Sequence, residues 1–596
     1  MHSSVKRQKG GRPTSYYDEH AQVVQLSAIT SCIENATVIQ MLQHDDLKDN
    51  HLIIKDAIFT HRREENYFAI DEDDDLGWLG YFMGKSETLQ KLTLCCWPDE
   101  EERVEAAAFA RGIYSNQSIQ KLQFDFPDTG TALPKVLSCR DNSKLTDLHL
   151  NGQIEGEVAR SLALALGELS LKVFILAVRL LSEDDFDEII EALMSQTQLE
   201  RLHLCDSEMF RRRCEKLGDV LVRWRPLNLR WLRLSWNSID DESFRCLIPG
   251  ISKCCNLSWL GLEGNVSITS AGLRSFFEEA VIRNLNGLSL NNIEYITDGL
   301  DHLAWGLPNF HAFRYLGLED TNIDDQELQR LSTGIATCLC NLTELDLSYN
   351  QSLTANGLRS LSNILQSEGC CLQILRLEGI QIGNDEASAL ANALLGNKSL
   401  EKLVVNEMTS SGWTTFEKLL CDTSSINNTH RSNHTLNQIE CRRGIALNVY
   451  RYLQMNRFKE HVGTTKILMH HPVFDMKPFF HWKLKFLPEI FDWFHKALSI
   501  LVVEKSRDWD VCTLPFAPLI FEVLASSQLE SVNPITQASD MILPRLLSSV
   551  YQFVRAMPSL VIDGYCSQDL TRGSRKRKHI IEQNGEIKGR GRACSF

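Results

Sequence analysis

Long apolar runs are missing from this chain of 596 residues. The longest, such as Ala497 to Val503, fall far short of the roughly 18 residues that a membrane-spanning helix needs, so no membrane association is expected. The N-terminus is polar and basic with no apolar stretch behind it, and no secretory signal is expected. An excess of positive charge is absent as well. Lys and Arg total 62 against 77 Asp and Glu, a formal net charge of −15, whereas a dedicated nucleic-acid binder must neutralise phosphates. The 18 cysteines lack framework spacing, and several form adjacent pairs (Cys95–Cys96, Cys254–Cys255, Cys370–Cys371) that make poor disulfides. They are expected to be reduced thiols of an intracellular protein, in nucleus or cytoplasm.

Catalytic signatures are missing too. A nucleophile elbow, a His-Glu zincin pair and paired acids in a non-repeat domain are all absent. Gly80-Tyr-Phe-Met-Gly84-Lys85-Ser86 nearly spells a phosphate loop, but it has three residues between its glycines where four are needed. Its large apolar side chains also sit where backbone amides should be bare, so a helix leading into a strand is expected there. Cys421, His430, His434 and Cys441 could be drawn as a zinc set, yet the gap between Cys421 and His430 is irregular and reads as a polar loop. The expectation is therefore no catalytic residue, no metal, no cofactor and no small-molecule substrate.

What is present is a repeat. The chain is too long for one ordinary core, and its hydrophobic share of 43% leaves plenty to bury. Leu342-Thr-Glu-Leu345-Asp-Leu347-Ser-Tyr-Asn350 sets a frame, L-x-x-L-x-L-x-x-N. It returns at Leu229, Leu232, Leu234 and Asn237, and at Leu257, Leu260, Leu262 and Asn265. Without the asparagine it recurs from Leu89, Leu145, Leu199, Leu285, Leu372 and Leu400, with conservative variants from Ile119, Leu171 and Phe313. Twelve copies follow one register at a fixed period. Alternating leucines predict a short strand with one face inward, and the asparagine suits the turn that leaves it. Cap signals then open a helix, as in Thr269-Ser-Ala-Gly-Leu273 and Thr354-Ala-Asn-Gly-Leu358, with Thr297 and Asp324 expected to start two more. Each strand–turn–helix unit has an apolar edge that only its neighbours can cover, so the units stack.

This pattern resembles the ribonuclease-inhibitor type of leucine-rich repeat over about residues 76 to 442, and the layout also looks like leucine-rich-repeat proteins found in diatoms. The resemblance implies an α/β solenoid, a horseshoe with parallel strands on the concave face and helices outside, and an α-helical C-terminal domain is expected after it from the spacing given below. For function it implies binding rather than any one partner. No motif singles out small-GTPase activation, an activity of one class within that type.

The expected organisation is a disordered basic N-terminus (1–20), an N-terminal capping region (21–75), about twelve repeats (76–442), a helical C-terminal domain (443–564) and a disordered basic tail (565–596). The helical expectation rests on steps of three and four among Leu487, Phe491, Phe494, Leu498 and Leu501, and again from Leu543 to Val554. The tail cluster Arg572, Arg575, Lys576, Arg577 and Lys578 reads as a nuclear-import signal, with a solubilising tail as the alternative. The acid runs at 71–75 and 99–102 read as solvated loops.

The residues between the leucines should face the concave side. Trp231, Trp259 and Tyr315 share one frame position there, broken by Gly287. Two positions on, Arg233 and Arg376 flank a column of Gly261, Ser289 and Gly317, which should leave a groove. Glu263, Glu319 and Glu378 share the next outward position. Rigid aromatics beside arginine and carboxylate have the composition of an interface hot spot, although aromatics of one row also stack simply to stabilise a sheet face. The expected function is a non-enzymatic protein-binding scaffold that uses this face. The alternative is a nuclear regulatory or adaptor subunit, such as a small-GTPase regulator or a ligase substrate receptor.

Overall fold

The protein was analysed as a computed structural model that describes residues 14–56, 66–71, 75–97, 106–128, 132–137, 144–178, 182–294, 299–307, 310, 312–337, 341–458 and 462–471. The chain divides into two compact units, residues 1–412 with 439–445, and residues 413–438 with 446–596.

In the first unit the alternating leucines do what their period requires. Each frame becomes a short parallel strand, and all the described strands join one fifteen-stranded sheet. In chain order these are β1 (His51–Asp56), β2 (Tyr67–Ile70), β3 (Lys91–Leu94), β4 (Lys121–Asp128), β5 (Asp147–Gln153), β6 (Val173–Val178), β7 (Arg201–Cys205) and β8 (Trp231–Arg233). They continue with β9 (Trp259–Gly261), β10 (Gly287–Ser289), β11 (Tyr315–Gly317), β12 (Glu344–Asp346), β13 (Ile374–Leu377), β14 (Lys402–Val405) and β15 (Gln438–Cys441). From β3 onward sequence neighbours are spatial neighbours, and β1 lies between β3 and β2 at the sheet's end. Leu232, Leu260, Leu288, Leu316, Leu345, Leu375 and Leu403 stand opposite one another across successive strands. All are fully buried, and each burial is worth about 2 kcal/mol against exposure.

Two expectations at the N-terminal end need correction. Residues 21–75 supply strands β1 and β2 to the sheet rather than only a cap. Thr14–His20 is a helix, not a disordered segment, because Tyr17 is buried edge-on against Trp78 at a centroid distance of 4.9 Å. The near-phosphate loop is the expected helix, Leu76–Lys85. Gly80 is there for packing, since a Cβ on it would lie 2.6 Å from Phe109 Cα in the next helix, Ala106–Ser115.

The turns after the strands carry the inter-repeat connections. Asn350 is fully buried. Its Nδ2 donates to the carbonyls of Leu347 at 2.9 Å and of Leu318, one repeat back, at 2.8 Å. Its Oδ1 accepts from the amides of Thr321 at 3.1 Å and Ile323 at 2.9 Å, also one repeat back. Asn265 repeats the arrangement with Leu262, Leu234, Asn237 and Ile239. One side chain thus satisfies buried backbone groups that no strand or helix reaches. Thr269 and Thr354 cap their helices by accepting from Ala271 and Asn356, and Asp324 accepts from Gln326 and Glu327. Thr297 lies outside the described residues.

The second unit is helical where described, with helices Ile426–Arg431, Leu447–Arg457 and Val462–His470. Its interior holds Lys466, whose Nζ donates to Leu420 O at 2.7 Å and Asn456 Oδ1 at 2.7 Å and lies 3.2 Å from His434 Nδ1. Burial pushes this amine down to about 7. The expected helices at 487–501 and 543–554, and the basic tail, lie outside the described residues.

Replacing Asn350 by Ala strands two buried amides and the Leu347 carbonyl, whereas the Leu318 carbonyl keeps the bond from the Thr321 hydroxyl. A loss of about 3 kcal/mol is expected, because each buried orphan costs of order 1–3 kcal/mol. A urea titration of Asn350→Ala with an unchanged midpoint would contradict the account.

Candidate partner-binding face

The buried leucines fix which side chains emerge on the other side of the sheet. Trp231 and Arg233 flank Leu232 with the pattern exposed, buried, exposed, so the third, fifth and seventh frame positions stand on the open face. Parallel register sets like positions side by side, with Arg201, Trp231, Trp259, Gly287, Tyr315 and Glu344 in the first row.

That row is a continuous stack. Trp231 and Trp259 lie 5.2 Å apart at an interplanar angle of 14°. Trp259 and Tyr315 are 4.7 Å apart at 32°, although a whole strand separates them. Gly287 is what permits this, since a Cβ there would meet the Trp259 ring at 2.4 Å. Arg201 closes the near end, with its guanidinium carbon 5.0 Å from the Trp231 ring centroid. Trp231 stays 36% exposed, while Trp259 and Tyr315 are half-buried.

The groove expected over Gly261, Ser289 and Gly317 is not there, because neighbouring side chains lie across it. A Cβ on Gly261 would meet Glu263 Oε2 at 2.8 Å and Arg233 Cγ at 3.0 Å, and one on Gly317 would meet Asn291 Oδ1 at 2.5 Å and the Tyr315 hydroxyl at 2.8 Å. Arg233 pairs with Glu263 at 3.0 Å, and Ser235 also donates to that carboxylate. Burial raises the Glu263 carboxyl, but the bonds from Arg233 and Ser235 outweigh it and hold the group below its ordinary value. Arg376 does not meet Glu378. It reaches back to Glu344 on β12 at 2.7 Å. Glu319 is pushed up by burial and by the nearby Asp346, Glu378 and Asp320 carboxylates. The Tyr315 hydroxyl is pushed up by burial and by the carboxylates of Asp346 and Glu344.

Sequence reasoning missed the rule behind the glycines. Trp236 and Tyr349, both exposed and both left-handed at φ 58° and 59°, stand one strand before Gly264 and Gly379. A Cβ on either glycine would lie within 2.5 Å of the preceding aromatic ring. Trp259 before Gly287 is a third case, so an aromatic followed by glycine at the same frame position was the available signal. It also missed His149 and His203 on β5 and β7, whose Nε2 atoms are buried without a hydrogen-bond partner. Burial and the Lys121 charge lower His149 to about 4, and burial with Arg233 and Arg201 lowers His203 to about 4. Among the described residues no three His, Cys, Asp or Glu side chains are grouped to hold a metal, and no helix is long and apolar enough to cross a membrane.

Sequence similarity agrees with the architecture. NACHT, LRR and PYD domains-containing protein 14 of Homo sapiens is 28% identical over 234 residues, 37% of this chain and 20% of that protein. Ribonuclease inhibitor of Sus scrofa is 29% identical over 213 residues, 35% of this chain and 45% of the inhibitor. The fold is a leucine-rich-repeat solenoid of the ribonuclease-inhibitor-like type. The chain spans only a fifth to under half of these relatives' length. No family model matches the solenoid. Among solved structures, the yeast Rad7 and Elc1 complex aligns with a TM-score of 0.39 and 14% identity, over 67% of this chain and 88% of that one.

Both histidines have folded values below the ordinary 6.5. The unfolded chain therefore binds more protons between pH 6.5 and about 4, and the solenoid should lose stability as pH falls through that window. His149→Leu with His203→Leu should flatten this part of a urea-midpoint profile, and a profile identical to wild type would contradict it.

Proposed function

We propose that this solenoid is a non-catalytic protein-binding scaffold whose contact surface is the open face of the sheet, centred on Trp231, Trp259 and Tyr315. The observation that carries the reading is the aromatic stack itself. Large rings are held rigid by glycine and by one another, remain partly exposed, and are bordered by Arg233–Glu263 and Arg376–Glu344. Pre-ordered aromatics lose little conformational freedom on contact, which is why such residues dominate interface energetics. Glu319 and Glu378 stand at the rim, where they contribute to selectivity through charge. The similarity to ribonuclease inhibitor supports protein binding as the general mode.

The test is affinity purification with mass spectrometry from the native cell, with wild type beside Trp231→Ala/Trp259→Ala of unchanged circular dichroism. The double variant should lose the partners that wild type retains. Retention of every partner would sink the proposal.

The second reading, a nuclear regulatory or adaptor subunit, draws on the basic cluster Arg572–Lys578. Deleting 572–578 from a fluorescent fusion should move it from nucleus to cytoplasm, and an unchanged distribution would remove that support.

A further inference from the structure

Lys466 is fully buried in the second compact unit. It stands on the helix Val462–His470, and the acceptors around its Nζ come from three other parts of that unit. They are the Leu420 carbonyl at the end of helix Ser410–Leu420, Asn456 Oδ1 of helix Leu447–Arg457, and His434 Nδ1 in the segment before β15. Asn456 in turn donates to the carbonyls of Asn433 at 3.2 Å and Leu436 at 2.6 Å. One amine therefore fastens the helix Val462–His470 to its surroundings.

The His434 imidazole is held in one tautomer. Its Nε2 lies 3.1 Å from the His430 carbonyl, which can only accept, so Nε2 carries the proton and Nδ1 offers its lone pair to Lys466. Gly463 leaves room for the ring, since a Cβ there would lie 3.0 Å from Nε2. Residues 463 and 466 share one face of the helix, and the ring sits against that face. A second proton on the imidazole can only go to Nδ1. A donor then faces a donor, with two cations 3.2 Å apart.

Nothing described around the pair offsets that second charge. Among the described residues no carboxylate pairs with Lys466, and the one ionisable group that favours its charge is the buried Cys421 thiol, itself pushed up to about 11 by burial. Glu417 accepts from Asn448 at 2.9 Å, and Asp422 accepts from Ser424 at 3.0 Å. The helix Ile426–Arg431 brings His430, a further base. The helix Leu447–Arg457 brings Arg451 and Tyr452, whose hydroxyl lies 2.9 Å from His470 Nε2. Burial first, then the Lys466 charge, lowers His434 from 6.5 to about 4. The unfolded chain thus binds more protons between those values, and stability is lost as pH falls through that window. Lys466, lowered from 10.5 to about 7, acts in the same sense at higher pH, where the fold becomes firmer as pH rises.

We propose that Lys466 and His434 form an acid-released latch within the second unit. Protonation of His434 turns the hydrogen bond between the two bases into a repulsion, and the helix Val462–His470 leaves its seat. The buried side chains of Val462 and Ile467 on that helix are then uncovered.

Hydrogen–deuterium exchange of the full chain, corrected for the intrinsic pH dependence of exchange, tests it at about pH 7.5 and about pH 5. His434→Asn keeps an acceptor near the Nδ1 position but does not titrate. At about pH 7.5 it should protect residues 462–470 to within about twofold of wild type, and at about pH 5 at least about tenfold better. The histidines of the solenoid are the same in both proteins, so the difference isolates His434. Equal loss of protection in the two proteins at the lower pH would overturn the proposal. If His434→Asn does not fold, the His434 ring resonance of wild type, compared with Lys466→Met, decides instead. It should titrate below about 5 in wild type and move up towards 6.5 without the lysine. An ordinary value in wild type, or no change in Lys466→Met, would overturn the latch.

Discussion

Everything on the open face depends on neighbouring repeats staying in register, and buried asparagine is what couples them. The central strands are three residues long, so the few backbone bonds of each ladder step fix its position only weakly. Asn265 and Asn350 each tie the turn of their own repeat to the turn before it through bonds to its buried carbonyls and amides. An amide side chain, with two donors and an oxygen, does this in a space that excludes water. A slip of one residue would turn the leucine row to solvent and the tryptophans into the core.

Given that register, the face composes itself by exchange between neighbours. A ring wider than the spacing between strands must lie over the next repeat, and glycine there makes room. Trp259 over Gly287, Trp236 over Gly264 and Tyr349 over Gly379 are three instances. The same sharing explains the ion pairs, since Arg376 reaches Glu344 and Arg233 reaches Glu263 in adjacent repeats. The surface is thereby divided, with aromatics in the middle, carboxylates from β11 to β13, and the apolar strand β6 before the tryptophans.

Twelve strands were legible in the sequence because leucine at two fixed positions leaves strong periodicity. The row of Trp231, Trp259 and Tyr315 followed from the same frame. The strands β1 and β2 were not legible. His51-Leu-Ile-Ile and Tyr67-Phe-Ala-Ile carry no frame, and their pairing is decided by the free edge of β3. The groove was misjudged because side-chain reach, not residue size at one position, decides what covers a glycine. Arg201 escaped notice since its role depends on stacking against Trp231, a contact between repeats. Lys466 was invisible as a buried residue because lysine is ordinarily solvated, and only the carbonyls and amides converging on it make its burial tolerable.

Hydrogen–deuterium exchange of the full chain tests the asparagine coupling most directly. The amides of Ile239, Thr321 and Ile323 donate to asparagine Oδ1 atoms of the following repeat. The account predicts that they exchange as slowly as the strand amides of Trp231, Trp259 and Tyr315. Exchange at the rate of unprotected peptide, with those strands still protected, would contradict it.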